Sequence, residues 1–283
     1  MWWLLLACSS PPDGPFESVD DACWDDVKGE GYATQGADEA IKRYNCYRNF
    51  LGLSLPKIEP NLQQAAHAHA RYMATNGTSG DAESPGDPDF TGTDSVARLS
   101  AAGYGYNYPF WPVTQEANVP PAEIVDMWVD DGFAREIVTT AGVTHAGFAQ
   151  VEGQVSALLA FPLPSTSAPI VYPADNQTGV GLSYFDQPFG YPITVTVGSD
   201  IWTGDIANIY DLSVDGAELI GPDGDLDMEG PFLPGQSEDV TLLATAVFVP
   251  SDELEPGTQY SFRATISWID GTADVRSTFT TRP

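Results

Sequence analysis

The chain has 283 residues, with 40 acidic and 11 basic side chains and a formal net charge of −29. This length is enough for two ordinary domains with separate cores. The charge argues against a nucleic-acid partner, because phosphates would be repelled at long range. The acidity itself indicates solubility in an extracytoplasmic or salty setting, with specific cation capture as the alternative.

The N-terminus is apolar and then turns polar and rich in Pro and Gly. The run Leu5-Leu6-Ala7-Cys8 resembles the lipobox of bacterial lipoproteins, which implies that residues 1–8 are a signal remnant and that Cys8 carries a lipid. The short apolar run also fits a start upstream of Met1, or a stray hydrophobic end with a free thiol. No later segment reaches the roughly 18 apolar residues of a membrane span. The resemblance therefore implies a protein anchored in a bacterial cell envelope, and Ser9 fits onward transport to an outer membrane or the surface.

The chain has three cysteines, so one of them has no partner for a disulfide within the chain. If Cys8 is acylated, Cys23 and Cys46 remain as a disulfide that ties a polar tether, residues 9–35, to the first helix. Closing such a loop stabilises a fold by roughly 3 kcal/mol. The alternative is two buried free thiols, but an oxidising compartment favours the bridge.

The residue pattern predicts three helices in the first half of the chain. Asp38 can cap a helix that ends at Gly52. A second helix is predicted after Pro60, and Pro121 suits the first position of a third. One face of the second helix carries residues at steps of four, three and four, namely Leu62, Ala66, His69 and Met73.

Strand signals follow the third helix. Two alternating runs, residues 147–151 and 155–161, are separated by a Glu-Gly pair and predict a β-hairpin. A Pro- and Ser-rich linker at 163–168 comes next. From 169 to 283 the hydrophobic period changes to two, with Gly, Pro and Asp between the runs, which predicts an all-β sandwich.

One turn of this C-terminal part has a specific pattern. Residues 254–262 resemble the "Leu-x-Pro-x-Thr-x-Tyr" turn of bacterial Ig-like and fibronectin type III domains, which implies a corner hydrogen bond from Tyr260. The acidic run 223–229 lacks the spacing of an EF-hand loop and is predicted to be an exposed turn. The C-terminal part is therefore predicted to be an Ig-like module, a scaffold more often used for spacing and adhesion than for chemistry.

Several short motifs in the N-terminal half occur in a characteristic order. They are Asn45, Arg48, Gly52-Leu53, Pro60-Asn61-Leu62, the run from Ala65 to Ala74, Gln115-Glu116-Ala117-Asn118-Val119, and Trp128. Together they resemble the CAP domain, also called the SCP-like domain, of the cysteine-rich secretory protein, antigen 5 and pathogenesis-related superfamily. The resemblance covers residues 36–162 and implies an α-β-α sandwich. The predicted fold class of the chain is thus α+β, a CAP domain followed by an Ig-like sandwich.

The family carries a cleft lined by two histidines and acidic partners. Its "His-x-Glu" falls on Asp81-Ala82-Glu83 and its "His-Arg" on Ala134-Arg135, so both histidine positions hold other residues. Glu116 keeps the acid of the "Glu-Asn-Val" turn. The resemblance therefore implies a degenerate cleft, whose lining we predict as Asp81, Glu83, Glu116, Asp131, Ala134 and His145.

Histidines offer little for a metal site. His67 and His69 lie two apart on a helix and point about 200° from each other, so they cannot chelate one ion. His69 lies on the apolar stripe and is predicted to pack in the core, which leaves His145 as the histidine that could reach the cleft. The acidic residues alone would suit calcium or magnesium better than zinc, with a solvated acidic rim as the alternative.

Enzyme motifs such as Gly-x-Ser-x-Gly, His-Glu-x-x-His and the phosphate-binding loop are absent from the sequence. We therefore predict a lipid-anchored, non-enzymatic protein that binds a lipid, glycan or protein ligand at the cell envelope. No cofactor is predicted apart from the divalent cation already considered. The alternative is a metal-dependent hydrolase with a site rebuilt from Glu116, Glu83 and His145. A third hypothesis is adhesion through the Ig-like part alone.

Overall fold

A computed structural model of the chain describes residues 16–23, 37–105, 110–161, 168–185, 187–198, 212–236 and 242–283. The predicted lipidation site Cys8 and most of the predicted linker lie outside these ranges. Within them, no helix is both long enough and apolar enough to cross a membrane.

The described residues form five helices. They are α1 (Ala37–Phe50), α2 (Pro60–Asn76), α3 (Ser95–Ala101), α4 (Pro121–Asp130) and α5 (Glu136–Thr139). The three predicted helices are α1, α2 and α4, whereas the short α3 and α5 were not predicted. Helix α2 begins at Pro60 because the Glu59 side chain accepts a hydrogen bond from the Leu62 N–H, and it ends at Gly77, whose φ of 61° is left-handed.

Four strands form the sheet of the N-terminal half. They are β1 (Lys57–Ile58), β2 (Phe110–Glu116), β3 (His145–Val151) and β4 (Gln154–Ala160), in the order β1-β3-β4-β2. Strands β3 and β4 form the predicted hairpin, and β2 pairs with the other side of β4 in antiparallel register. Strand β2 was predicted only as a turn at its C-terminal end.

Helices cover both faces of this sheet, because successive side chains of a strand point to opposite faces. On β4, Val155, Ala157 and Leu159 belong to the core cluster that contains residues of α1 and α4. The alternate residues Leu158 and Ala160 pack in a second cluster with apolar residues of α2 and α3. The arrangement is the α-β-α layering that the motif resemblance implies.

The described residues of the C-terminal part form eight strands in two antiparallel sheets. The first contains β5 (Ile170–Tyr172), β6 (Ile193–Thr196), β9 (Met228–Phe232) and β10 (Thr245–Pro250), in the order β5-β6-β10-β9. The second contains β7 (Ser213–Gly221), β8 (Gly224–Leu226), β11 (Gln259–Trp268) and β12 (Gly271–Thr280), in the order β12-β11-β7-β8. The rings of Phe248 on β10 and Phe262 on β11 lie 5.1 Å apart, so the sheets pack against each other.

Two features of the C-terminal part bear on the sequence analysis. The Tyr260 hydroxyl accepts a hydrogen bond from the Glu255 N–H at 2.9 Å, which is the kind of corner contact that the turn motif implies. The acidic run 223–229 is not a simple turn, since it contains β8 and the start of β9. Its backbone pairs with β7 and β10, while most of its acidic side chains remain exposed. The two strands were not predicted because their acidic residues are typical of an exposed turn.

The predicted disulfide between Cys23 and Cys46 is confirmed, with sulfur atoms 2.04 Å apart. It ties residues 16–23 to α1, where Cys46 is fully buried. The same short segment also contacts the C-terminal part, because the Glu17 carbonyl accepts a hydrogen bond from the Thr178 N–H at 2.8 Å. This part of the N-terminal segment is thus fixed against both halves of the chain.

Candidate functional site

Strand register separates two of the predicted cleft residues. His145 begins β3 and pairs with Ala160, whose other neighbour on β2 is Phe110. Glu116 ends β2 and pairs with Gln154, at the opposite end of the same strands. Six residue steps at about 3.3 Å each place these ends roughly 20 Å apart. The structure therefore does not bring His145 and Glu116 into one site, contrary to the rebuilt hydrolase site suggested from the sequence.

Glu83 is buried rather than exposed in a cleft, with a total exposure of 4%. Its carboxylate accepts hydrogen bonds from the Thr91 N–H at 2.6 Å and the Gly92 N–H at 3.2 Å. The third partner is the His69 ring, whose Nδ1 lies 2.8 Å from Oε1. These contacts hold the segment between α2 and α3 against α2. The Glu83 carboxylate therefore has a structural role in the fold.

His69 is buried, as predicted from the apolar stripe. Both nitrogens of its ring lie within hydrogen-bond distance of a polar group. Its Nε2 lies 2.9 Å from the Gly80 carbonyl oxygen and can only donate a hydrogen bond there. Its Nδ1 faces the Glu83 carboxyl, so each ring nitrogen has a polar partner. His67 lies on the half-exposed side of the helix, where burial and then the nearby Arg71 lower the pKa of its imidazole.

The Asp81 side chain is 35% exposed and contacts the start of α3. It forms an ion pair with Arg98, which is 2% exposed, and its Oδ2 accepts hydrogen bonds from the N–H and hydroxyl of Ser95. These contacts secure the first turn of α3. Asp81 and Glu83 therefore stabilise one loop and helix, whereas Glu116 is exposed at the end of β2.

Asp131 and Ala134 line a different feature, a groove of about 200 Å³ along strand β2, which we call the edge groove. Its lining comes from β2, α4 with the turn that follows it, α5 and one residue of the C-terminal part. The lining residues are Val113, Thr114, Gln115, Met127, Trp128, Asp131, Ala134, Ile137 and Phe185. Of the predicted cleft residues, the structure thus brings Asp131 and Ala134 together here.

Hydrogen bonds fix two polar groups of the edge groove. The Trp128 indole N–H donates to the Gln115 side-chain oxygen at 2.6 Å. Asp131 Oδ1 accepts hydrogen bonds from the Phe133 N–H at 2.9 Å and from the Tyr184 hydroxyl at 3.1 Å. Burial, and then the Asp131 charge, raise the pKa of Tyr184 to about 12, so this hydroxyl remains a donor to the carboxylate.

A loop of the C-terminal part supplies the remaining wall. We call residues 183–185 and 187–190 the aromatic loop, which is closed by a bridge between Ser183 and Gly190. It carries Tyr184, Phe185 and Phe189, and the last two rings are 47% and 40% exposed. The aromatic loop was not identified from the sequence, although three aromatic residues within six positions are a usable signal for an exposed recognition loop.

Behind the groove, two buried charged residues join the halves of the chain. Arg135 is fully buried, and its guanidinium donates a hydrogen bond to the Pro192 carbonyl and lies over the rings of Tyr172 and Tyr191. Glu136 accepts hydrogen bonds from the N–H groups of residues 243 and 244. Sequence reasoning placed Arg135 only as the neighbour of a missing histidine and did not predict this junction.

The described residues contain no group of three or more His, Cys, Asp and Glu side chains placed to hold a metal ion. In particular, the acidic residues predicted around one cleft do not converge on a common point there. Asp81 and Glu83 contact the loop before α3 and its first turn, whereas Asp131 lies at the junction with the C-terminal part.

Residues 41–159 match the CAP family. The matching model is described as the cysteine-rich secretory protein family. The match supports the CAP superfamily resemblance and the mixed α and β content of the domain that contains α1 to β4.

Among solved structures, the chain is similar to an extracellular protein containing an SCP domain from Bacillus anthracis strain Ames. The sequences are 14% identical over 47% of this chain and 45% of that one, with a TM-score of 0.38. The alignment thus spans less than half of that protein. No curated protein matches this chain.

Proposed function

We propose that this protein is a non-enzymatic recognition protein whose CAP domain binds a lipid, glycan or protein ligand in the edge groove. The observation that carries the proposal is the composition of that groove. Asp131 and Ala134 come from the CAP domain, and Phe185 of the C-terminal part completes the wall. A concave site with apolar walls and few polar groups, formed where two parts of a chain meet, is typical of ligand binding.

The placement of the acid and base candidates supports recognition over the hydrolase alternative. A general base must lie within hydrogen-bond reach of the reacting group and of its partners. His145 and Glu116 lie at opposite ends of the sheet, and the oxygens of Glu83 already accept hydrogen bonds from buried N–H groups. These three residues therefore supply no shared reaction centre.

The cell envelope is the proposed location. The disulfide between Cys23 and Cys46 indicates an extracytoplasmic compartment, since such bonds persist where thiols are oxidised. We further propose that a lipid on Cys8 anchors the chain and that the C-terminal sheets form an Ig-like module. In this account the module does more than hold the CAP domain off the membrane, because its aromatic loop forms part of the ligand site.

The anchor can be tested by fractionation of bacterial cells that express the full chain. Cys8→Ala should move the protein from the membrane fraction to the soluble extracytoplasmic fraction and remove labelling by a palmitate analogue. Cys23→Ala is the matched control, which should keep both membrane association and label. An unchanged distribution of the Cys8→Ala protein would refute the anchor.

The binding site can be tested by filling the groove. Ala134→Trp places an indole in the edge groove, whereas Val96→Trp adds the same group at a site that is 65% exposed on α3. Envelope lipids, cell-wall glycan fragments and cross-linked envelope proteins would be recovered with each protein. We expect Ala134→Trp to lose a ligand that the wild type and Val96→Trp retain. Equal recovery with all three proteins would place the ligand elsewhere.

The hydrolase alternative needs a separate measurement. Purified wild type and Glu116→Ala would be incubated with peptide and cell-wall substrates and titrated calorimetrically with calcium and zinc. We expect no turnover and no saturable metal binding that depends on Glu116. Turnover that is lost in Glu116→Ala would overturn the recognition proposal.

A further inference from the structure

The charge and the apolar side chains of the edge groove narrow the class of ligand that it can bind. Among the described residues that line it, Asp131 is the one charged side chain. Among the described residues, two donate hydrogen bonds to this carboxylate, both to Oδ1, and none donates to Oδ2. Beside it lie apolar side chains, among them Val113, Met127 and Ile137. The site thus combines one negative charge with apolar side chains and a few polar groups, among them Thr114 and Gln115.

The backbone of Phe185 provides an independent observation. Its φ is 46°, in the left-handed region that bulky side chains rarely adopt. The other described non-glycine residues with positive φ are polar, namely Asp89, Glu152 and Asn176. Residues held in this region cluster at ligand sites, where the surrounding structure maintains the strain. Here the strained residue also presents an exposed ring in the wall of the groove.

From these features we propose that the edge groove binds an organic cation without N–H donors, a quaternary ammonium group such as trimethylammonium. This inference rests on the proposed binding function and names the ligand class of that site. An aromatic face and a carboxylate attract such a cation together, and its methyl groups suit apolar walls.

Hydrogen-bonding capacity distinguishes this ligand from a primary amine. A primary ammonium carries three N–H donors, and each one buried without an acceptor costs free energy. In the groove the Gln115 side-chain oxygen already accepts a hydrogen bond from Trp128, and a quaternary ammonium, unlike a primary one, needs no acceptor. A neutral sugar carries no charge for Asp131 to attract, and its hydroxyl groups would need several polar partners.

The charge of the whole molecule favours the same ligand. A net charge of −29 raises the local concentration of cations and repels anions. The nearby Arg135 guanidinium does not line the groove, and its N–H groups donate to the carbonyls of Val129 and Pro192. A volume of about 200 Å³ is smaller than a drug-sized pocket, so the groove suits one ligand group, such as a free quaternary amine or a lipid headgroup.

The test is a calorimetric titration of the full chain with choline and with 3,3-dimethylbutan-1-ol, its neutral carbon isostere. We expect choline to bind at least tenfold more tightly than the isostere, and more weakly as the salt concentration rises. Asp131→Asn and Phe185→Leu should each weaken choline binding about tenfold. Phe189→Leu is the matched control on the same loop, and it should leave the affinity unchanged because Phe189 does not line the groove.

Each other outcome has a defined meaning. Equal affinity for choline and its isostere would overturn the cation inference and leave the proposed binding function intact. Choline binding that survives both groove substitutions would refute the site. No choline binding, together with a natural ligand lost in Ala134→Trp, would refute the ligand class alone. Vesicles of phosphatidylcholine, compared with phosphatidylglycerol, would show whether the group belongs to a lipid headgroup or to a free amine.

Discussion

The Glu136 carboxylate accepts a hydrogen bond from the Ala244 N–H at 2.6 Å, across the junction between the N-terminal half and the C-terminal sheets. Burial raises the pKa of Glu136 from 4.5 to about 7, even though this hydrogen bond and that from Leu243 act in the opposite direction. The junction therefore contains an acid that changes charge near neutral pH.

This pKa predicts how stability depends on pH. Between about pH 4.5 and 7 the folded chain binds the Glu136 proton and the unfolded chain does not, so the free energy of unfolding falls as pH rises through this range. The shift corresponds to a loss on the order of 3 kcal/mol. Urea unfolding from pH 4.5 to 8 would measure it. Glu136→Gln cannot titrate and should flatten this part of the profile, and an identical slope in both proteins would contradict the assignment.

Buried Glu83 and exposed Glu116 give a matched pair of substitutions. Glu83→Ala leaves buried donors of Thr91, Gly92 and His69 without their acceptor, so we expect a loss of about 3–5 kcal/mol in the free energy of unfolding. Glu116→Ala removes an exposed side chain and should change stability by no more than about 0.5 kcal/mol. Denaturant unfolding of both variants checks this, and a small effect at Glu83 would show that its contacts are not maintained.

The disulfide should contribute measurably to stability. By the chain-entropy estimate, Cys23→Ala should lower the free energy of unfolding by roughly 3 kcal/mol, because the opened loop adds freedom to the unfolded chain. Reducing agent should destabilise the wild type by a similar amount. The same reagent should leave Cys23→Ala unaffected, which controls for effects on other groups. A wild-type midpoint that is insensitive to reduction would refute the contribution.

Arg135 tests the junction through a conservative change. Arg135→Lys keeps the charge but loses the planar group that lies over Tyr172 and Tyr191 and donates to the Pro192 carbonyl. We expect a loss of about 3 kcal/mol or more, because a buried charge would keep fewer partners. Exposed Arg263→Lys is the control, with an expected change within about 0.5 kcal/mol. Thermal unfolding of both variants provides the measurement, and equal midpoints would contradict the role of Arg135.

Local sequence signals predicted the parts of the fold that depend on local physics. Helix α2 was found because Pro60 marks its first turn and apolar residues recur on one face. Strand β2 was missed because it contains Pro112, and proline is rare in strands other than those at a sheet edge. Strand β2 does lie at the edge of its sheet. Strand β7 was missed because its side chains are largely exposed and Gly216 interrupts the alternation.

The candidate site was only partly predictable for a different reason. The CAP motifs identified Asp131 and Ala134, which do share a groove. They could not reveal that Glu83 accepts hydrogen bonds from residues 91 and 92, nor that Phe185 reaches the N-terminal half from about 50 residues further along the chain. Such contacts depend on how the two halves pack, and no local pattern in the sequence encodes that packing.

The central claim is that the ligand site is the edge groove rather than the exposed acid at the end of β2. A photo-crosslinking amino acid placed at position 185 in living cells, compared with the same residue at position 116, tests this most directly. The account predicts a discrete adduct from position 185 that disappears in the Ala134→Trp background, and none from position 116. An adduct from position 116 with none from position 185 would contradict it.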